Sequence, residues 1–134
     1  MAILYNVHRD NRENSQHYYY GRACILNTVD TNMLAERIEG KCTLTKSDIV
    51  GCITALVDEM TYLLQNSNAV KLDGFGTFKI GIKTRGAKTA KEFTVADNIK
   101  GFRCNFLPAG KKSLASGKMT RSFIEGCTAK KFGE

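Results

Sequence analysis

The chain has 134 residues, with 20 Lys/Arg against 13 Asp/Glu, a formal net charge of +7, and 43% hydrophobic residues. That length suits one domain with one core, and the composition is ordinary for a globular fold. A helical membrane protein is excluded, since no apolar run approaches the roughly 18 residues needed to span a bilayer. The opening Met1-Ala2-Ile3-Leu4-Tyr5 soon meets His8, Arg9 and Asp10 and lacks a signal-peptide core, so a cytoplasmic location is expected. Cys24, Cys42, Cys52, Cys104 and Cys127 are odd in number, and no two lie two or three apart. They read as small buried thiols in a reducing compartment, not as a disulfide framework or a zinc site.

The charge is unevenly placed. Residues 1–66 hold six Lys/Arg and eight Asp/Glu, a net of −2, while residues 67–134 hold fourteen and five, a net of +9. Within 79–118 ten basic residues face only Glu92 and Asp97. This asymmetry points to a polyanionic partner, nucleic acid before an acidic membrane surface.

Residues 1–29 read as an N-terminal extended arm or hairpin. Ile3, Tyr5 and Val7 alternate with Leu4, Asn6 and His8, residues 9–16 are a polar loop, and Tyr18-Tyr19-Tyr20 with Cys24-Ile25-Leu26 suggest a returning strand. A tyrosine triplet can stack on bases; the commoner role is to fill a half-buried strand surface. His8 and His17 have no partners at metal-ligand spacing and read as surface residues. Asp30-Thr31 is an N-cap signal for a short helix bearing Leu34 and Ile38, which ends near Gly40-Lys41-Cys42. Thr45-Lys46-Ser47-Asp48 is a capping box with Asp in the Glu position. Behind it Ile49, Ile53, Leu56, Val57, Met60, Leu63 and Leu64 keep helical period to about residue 65. A stripe this long needs more covering surface than the remaining short elements offer, so part of the cover is expected from a second copy.

Asn66-Ser67-Asn68 reads as a turn and Ala69 to Leu72 as a strand feeding Gly74-Phe75-Gly76-Thr77-Phe78, whose paired glycines suggest a tight bend. A second strand runs from about Phe78 to Arg85. Phe78, Ile80 and Ile82 fall on one face; Thr77, Lys79, Gly81 and Lys83 fall on the other. Residues 86–91 form an exposed, flexible tip. Phe93 and Val95 resume a strand, Asp97-Asn98 interrupts it, and from Ile99 the pair continues with Phe102, Cys104 and Phe106 against Gly101, Arg103 and Asn105. Pro108-Ala109-Gly110-Lys111-Lys112 ends the sheet and opens a short C-terminal helix. Residues 118–134 form a tail whose Phe123 and Ile124 can dock on the body.

No enzyme signature is present. Gly74-Phe75-Gly76 lacks the spacing of a dinucleotide or phosphate-loop fingerprint, and there is no Ser-centred elbow, no HExxH and no acidic pair beside a His. Asp58-Glu59 reads as a solvated helix face. The expectation is no enzyme activity, no cofactor, no metal and no small-molecule substrate. With helices covering the apolar face, Lys79, Lys83 and Arg103 occupy the outer face, and Arg85, Lys88 and Lys91 the tip. Such an array neutralises phosphates with little regard to sequence, and a two-stranded ribbon can enter or follow a groove.

Two capped helices, VKLDGFGTF, a long basic arm and a strand ending FLPAGKK resemble the bacterial histone-like HU / integration host factor family over roughly residues 30–115. The resemblance implies an α+β fold in which two helices precede a three-stranded antiparallel sheet with a long basic β-arm, as an intertwined homodimer wrapping duplex DNA in the nucleoid. The implied domains are 1–29, an HU-like domain over 30–117, and the tail 118–134. Carried over by position, DNA contacts fall on Lys79, Lys83, Arg85, Lys88, Lys91 and Arg103, and phosphate contacts on Lys111 and Lys112. Three departures stand out. The family's tip Arg-Asn-Pro is replaced by Arg85-Gly86-Ala87-Lys88-Thr89, and FLPAGK is one residue longer than FxPGK. Both termini extend beyond the common domain, similar to the extended HU-like proteins of Bacteroides-type bacteria. The implied function is non-enzymatic architectural DNA binding with bending or compaction; the alternative is an HU-like scaffold used for protein interaction or assembly.

Overall fold

The computed structural model describes residues 1–134. The N-terminal alternation forms β1 (Ile3–Arg9), antiparallel to β2 (Tyr19–Ala23) with His8 opposite Tyr20 and Asn6 opposite Arg22. The chain end adds β8 (Ala129–Lys131) parallel to β1, giving a β2-β1-β8 sheet. Nothing in the three residues Ala129-Lys130-Lys131 signals a strand; Ile3 N–H donating to Thr128 O and Phe132 N–H donating to Tyr5 O fix them there. Tyr18, Tyr19 and Tyr20 are 59%, 68% and 52% exposed, which corrects the half-buried reading: β2 is an edge strand.

Both helix starts form as their caps dictate. Asp30 accepts from Met33 N–H at the head of α1 (Thr31–Glu39). Thr45 and Asp48 close a reciprocal capping box on α2 (Lys46–Gln65), at 3.3 and 3.2 Å. Such caps contribute about 1 kcal/mol each by satisfying otherwise orphaned amides. The helices pack around Ala35 and Ile49, both buried, and Lys46 ties back to α1 by an ion pair to Glu36 and a backbone hydrogen bond to Glu39.

After a turn in which Ser67 takes φ 63°, β3 (Val70–Leu72), β4 (Gly76–Thr84) and β5 (Ile99–Pro108) form an antiparallel sheet in that order. The bend between β3 and β4 is a β-turn closed by Phe75 N–H on Leu72 O at 3.0 Å, with Gly74 at φ 76°. Gly76 is required for a second reason: a Cβ there would lie 2.5 Å from Leu107 O and from the Phe106 ring. The close approach stacks Phe78 on Phe106 at 4.6 Å, and Phe75 meets both rings. Phe123 from the tail docks edge-on against Phe75 at 5.5 Å, whereas Ile124 stays 63% exposed.

Two of the expected secondary-structure elements do not form. Phe93 and Val95 do not resume a strand: the chain makes a 3-10 turn (Ala90–Glu92) and then α3 (Val95–Asn98). Thr89 and Thr94 cap these with Glu92 and Asp97 three residues on, so local capping wins over the weak alternation. The segment after Pro108 is not a helix either. It forms β6 (Gly110–Lys112), paired with β7 (Met119–Arg121). Gly110 favours this outcome twice, as a poor helix former and by letting Thr120 O approach to 2.8 Å of where a Cβ would be.

The single chain buries little. Five of 134 residues are buried, and Leu56, Val57, Ile82 and Phe102 are 40%, 56%, 50% and 67% exposed. Cys42, Cys52, Cys104 and Cys127 are exposed and Cys24 is half-buried, which corrects the reading of buried thiols. The accessible surface is 11530 Å², against about 7,000 Å² for a compact monomer of this mass. Leu64 at the end of α2 and Ile80, Ile82 and Phe102 of the ribbon border an open hollow of about 710 Å³. No helix is long and apolar enough to cross a membrane.

Candidate nucleic-acid interface

β4 and β5 are the longest paired strands, and their register sorts the basic residues. Phe78 faces Phe106, Ile80 faces Cys104 and Ile82 faces Phe102 on one side. Lys79 faces Asn105, Gly81 faces Arg103 and Lys83 faces Gly101 on the other, as the alternation requires. Arg103 therefore sits between Lys79 and Lys83 along the ribbon. The sequence reading missed one member of this row: Lys71 pairs with Thr77 and joins the same face. Its position between Val70 and Leu72 in VKL was the available signal. Lys71, Lys79, Arg103 and Lys83 thus mark ribbon positions 77, 79, 81 and 83, a cation at every second residue or about every 7 Å.

The glycines opposite the cations make room for them. A Cβ at Gly81 would touch the Arg103 side chain at 3.6 Å, and one at Gly101 would touch Lys83 Cδ at 3.8 Å, so each basic side chain lies across the facing glycine. No carboxylate compensates the row. Strands β3, β4 and β5 carry no Asp or Glu, and the two ion pairs of the molecule, Arg12–Asp10 and Lys46–Glu36, lie elsewhere. All four side chains are exposed.

Arg85, Lys88 and Lys91 occupy a separate feature. A register shift between Lys83 and Thr84 ends the regular ladder, and residues 85–98 form a closed tip in place of longer strands. The tip is locked at its base by Asn98, which is 5% exposed. Its amide donates to Arg85 O at 2.8 Å and Gly86 O at 3.3 Å and accepts from Thr94 N–H at 2.9 Å. Arg85 N–H closes the ring on Asn98 O. Asn98 was read from sequence only as an interruption; an amide able to serve several backbone groups at a loop base has no pattern signature. Lys111 and Lys112 fall outside both groups, on β6, exposed and paired to Thr120 and Met119. The β6–β7 hairpin is tied to the ribbon end by Arg121 Nη1 donating to Pro108 O at 3.1 Å.

Sequence and fold both relate the chain to known proteins. It is 39% identical over 67 residues to the DNA-binding protein HU-alpha of Pseudomonas aeruginosa, spanning 50% of this chain and 72% of that protein. A candidate bacterial DNA binding protein from Bacteroides vulgatus ATCC 8482 shares the fold across 99% of this chain, with a TM-score of 0.62 at 12% identity. The chain spans about half the length of that structure, 49%. The family model for an HU domain fused to a wHTH, Ig or glycine-rich motif matches residues 1–122, hairpin included. The chain is thus a member of this HU-HIG family, within the bacterial HU-like DNA-binding proteins.

Proposed function

We propose that the protein is a non-enzymatic architectural component of the nucleoid that binds duplex DNA as a homodimer through the cation row of the β3-β4-β5 ribbon. The observation that carries this reading is the uncompensated row itself. Evenly spaced exposed cations with no acidic partner suit a phosphate backbone and read no base edges, so affinity comes from counterion release. The row comprises Lys71, Lys79, Lys83 and Arg103; Arg85, Lys88 and Lys91 extend it through the tip, and Lys111 and Lys112 add flanking phosphate contacts. The HU-alpha relative is named as a DNA-binding protein.

The dimer is supported by area. The chain exposes about 4,500 Å² beyond a compact monomer of its mass, more than enough per partner for an obligate interface, which buries about 2,000–5,000 Å² or more over both partners together. The α2 stripe and the apolar ribbon face are the surfaces a second copy would cover. Bending is expected to be smooth. The only proline, Pro108, lies at the far end of β5 from the tip, and Ala87 is too small to wedge a base step open. Phosphate neutralisation then drives the deformation.

A mobility-shift titration with random-sequence duplex at two salt concentrations tests binding, with sedimentation of the free protein alongside. Expected are retarded complexes that weaken steeply with salt and a species of twice the chain mass. A well-folded monomer at micromolar concentration overturns the dimer. No complex at low salt overturns DNA binding and favours a scaffold for protein assembly. Energy transfer between duplex ends reports the bend; a sharp local kink would show that another side chain intercalates.

A further inference from the structure

The β2-β1-β8 sheet lies apart from the ribbon and has its own charge character. Its fifteen residues hold Arg9, Arg22, Lys130 and Lys131 and no Asp or Glu. Register places His8 opposite Tyr20 and Asn6 opposite Arg22, and Leu4 opposite Lys130, all on one face. At the end of the sheet a concavity of about 700 Å³ opens between the strands and the connecting loop, lined by His8, Arg9, Asp10, Asn11, Arg12, Tyr20 and Arg22.

This concavity is built. Asp10 O accepts from Ser15 Oγ at 3.3 Å and His17 Nδ1 at 2.9 Å, and Asp10 N–H donates to Tyr18 O at 2.9 Å, so the loop is tied back on itself. The Asp10 carboxylate is taken by Arg12, through Nε at 3.0 Å and Nη2 at 2.7 Å, and by Arg12 N–H. The one acid at the site is thus neutralised internally, while Arg9 and Arg22 have no carboxylate within ion-pair distance. Tyr20 is 52% exposed, and none of the molecule's aromatic pairs includes it. Tyr20 and the unpaired Arg22 share this face, and Arg9, paired with Tyr19 on the other face, lines the hollow where β1 passes into the loop; an exposed ring flanked by cations suits a nucleotide, with phosphate on the arginines and base on the ring.

We infer that the concavity formed by Arg9, Tyr20 and Arg22 is a second nucleic-acid site that takes a nucleotide unit of single-stranded nucleic acid. A duplex keeps its bases stacked inside and offers no free face to Tyr20, whereas a single strand offers phosphate and base together. Through this site the chain holds an unpaired strand separately from the duplex on the ribbon.

The test uses the full chain and labelled dodecathymidylate, read by fluorescence anisotropy beside a random-sequence duplex. Replacing both Arg9 and Arg22 with Ala should weaken dodecathymidylate by about tenfold or more and leave duplex affinity nearly unchanged. Tyr20→Leu, which keeps apolar bulk on the strand, should weaken the single strand alone. Hydrogen exchange should slow over residues 8–22 when dodecathymidylate is added to the unaltered protein, a readout that survives if a variant misfolds. Unchanged single-strand affinity in the arginine variant, or no protection over 8–22, overturns the inference. Equal competition by thymidine monophosphate at matched nucleotide concentration would assign the site to free nucleotides and overturn the strand assignment.

Discussion

Replacing Lys79, Lys83 and Arg103 together with Ala removes three of the four cations on one ribbon face and no core contact, since all three side chains are exposed. In a dimer the change removes six charges. Each phosphate contact contributes about 0.9 to the slope of log K against log salt, so the slope should flatten by about 5 if all six are engaged. Between 50 and 200 mM salt, the unaltered protein should therefore lose about a thousandfold more affinity than the variant over the same interval. The assay is anisotropy of a labelled duplex at five salt concentrations, with circular dichroism to confirm equal folding. Lys83→Arg keeps the charge and should keep the slope. A slope unchanged in the triple variant would remove the ribbon face from the interface. Weaker binding with an unaltered slope would mean that these residues act through the shape of the ribbon and not through phosphate contact.

Asn98→Ala leaves Arg85 O, Gly86 O and Thr94 N–H without their side-chain partner; it should cost about 1–3 kcal/mol and speed hydrogen exchange over residues 85–98, seen by mass spectrometry. Gly76→Ala forces a Cβ to 2.5 Å from Leu107 O at φ 152° and should cost about 2 kcal/mol or more in urea unfolding, whereas Gly81→Ala crowds only the movable ends of side chains, the Asn105 amide at 2.8 Å and Arg103 at ordinary contact distance, and should be mild. The Arg12 guanidinium and amide hold the Asp10 carboxyl below the usual carboxylate range. Its folded value is depressed, so its stabilisation is complete at neutral pH and is lost as pH falls below about 4 through the lowered value. Hydrogen-exchange protection in the 10–18 loop, taken relative to the intrinsic rate at each pH, should then fall at acid pH, and Asp10→Asn should abolish that loss of protection on acidification.

Much of the fold was legible because its signals are local. Asp30, Thr45 and Asp48 announce helix starts through bonds spanning three residues, and Gly74 and Gly76 announce the bend through φ and the space a Cβ would need. Alternation along 76–84 and 99–108 puts Lys79, Lys83 and Arg103 on one face, because a strand's period of two leaves no freedom. The same locality misled at 93–98 and after Pro108. There the alternation is short, and capping by Thr94 or a hairpin partner at Met119–Arg121 decides the outcome.

The helices, the two-faced ribbon and the charge gradient each rest on residue order within a few positions and are written in the chain. What depends on pairing across long chain separations is settled by the folded molecule. That includes Asn98 closing the tip, β8 lying beside β1 and Phe123 reaching Phe75. It also decided that Arg9, Tyr20 and Arg22 border one hollow. Pairings of this kind gain their free energy from burying and bonding groups that the chain brings together only when folded, so neither composition nor periodicity carries their trace.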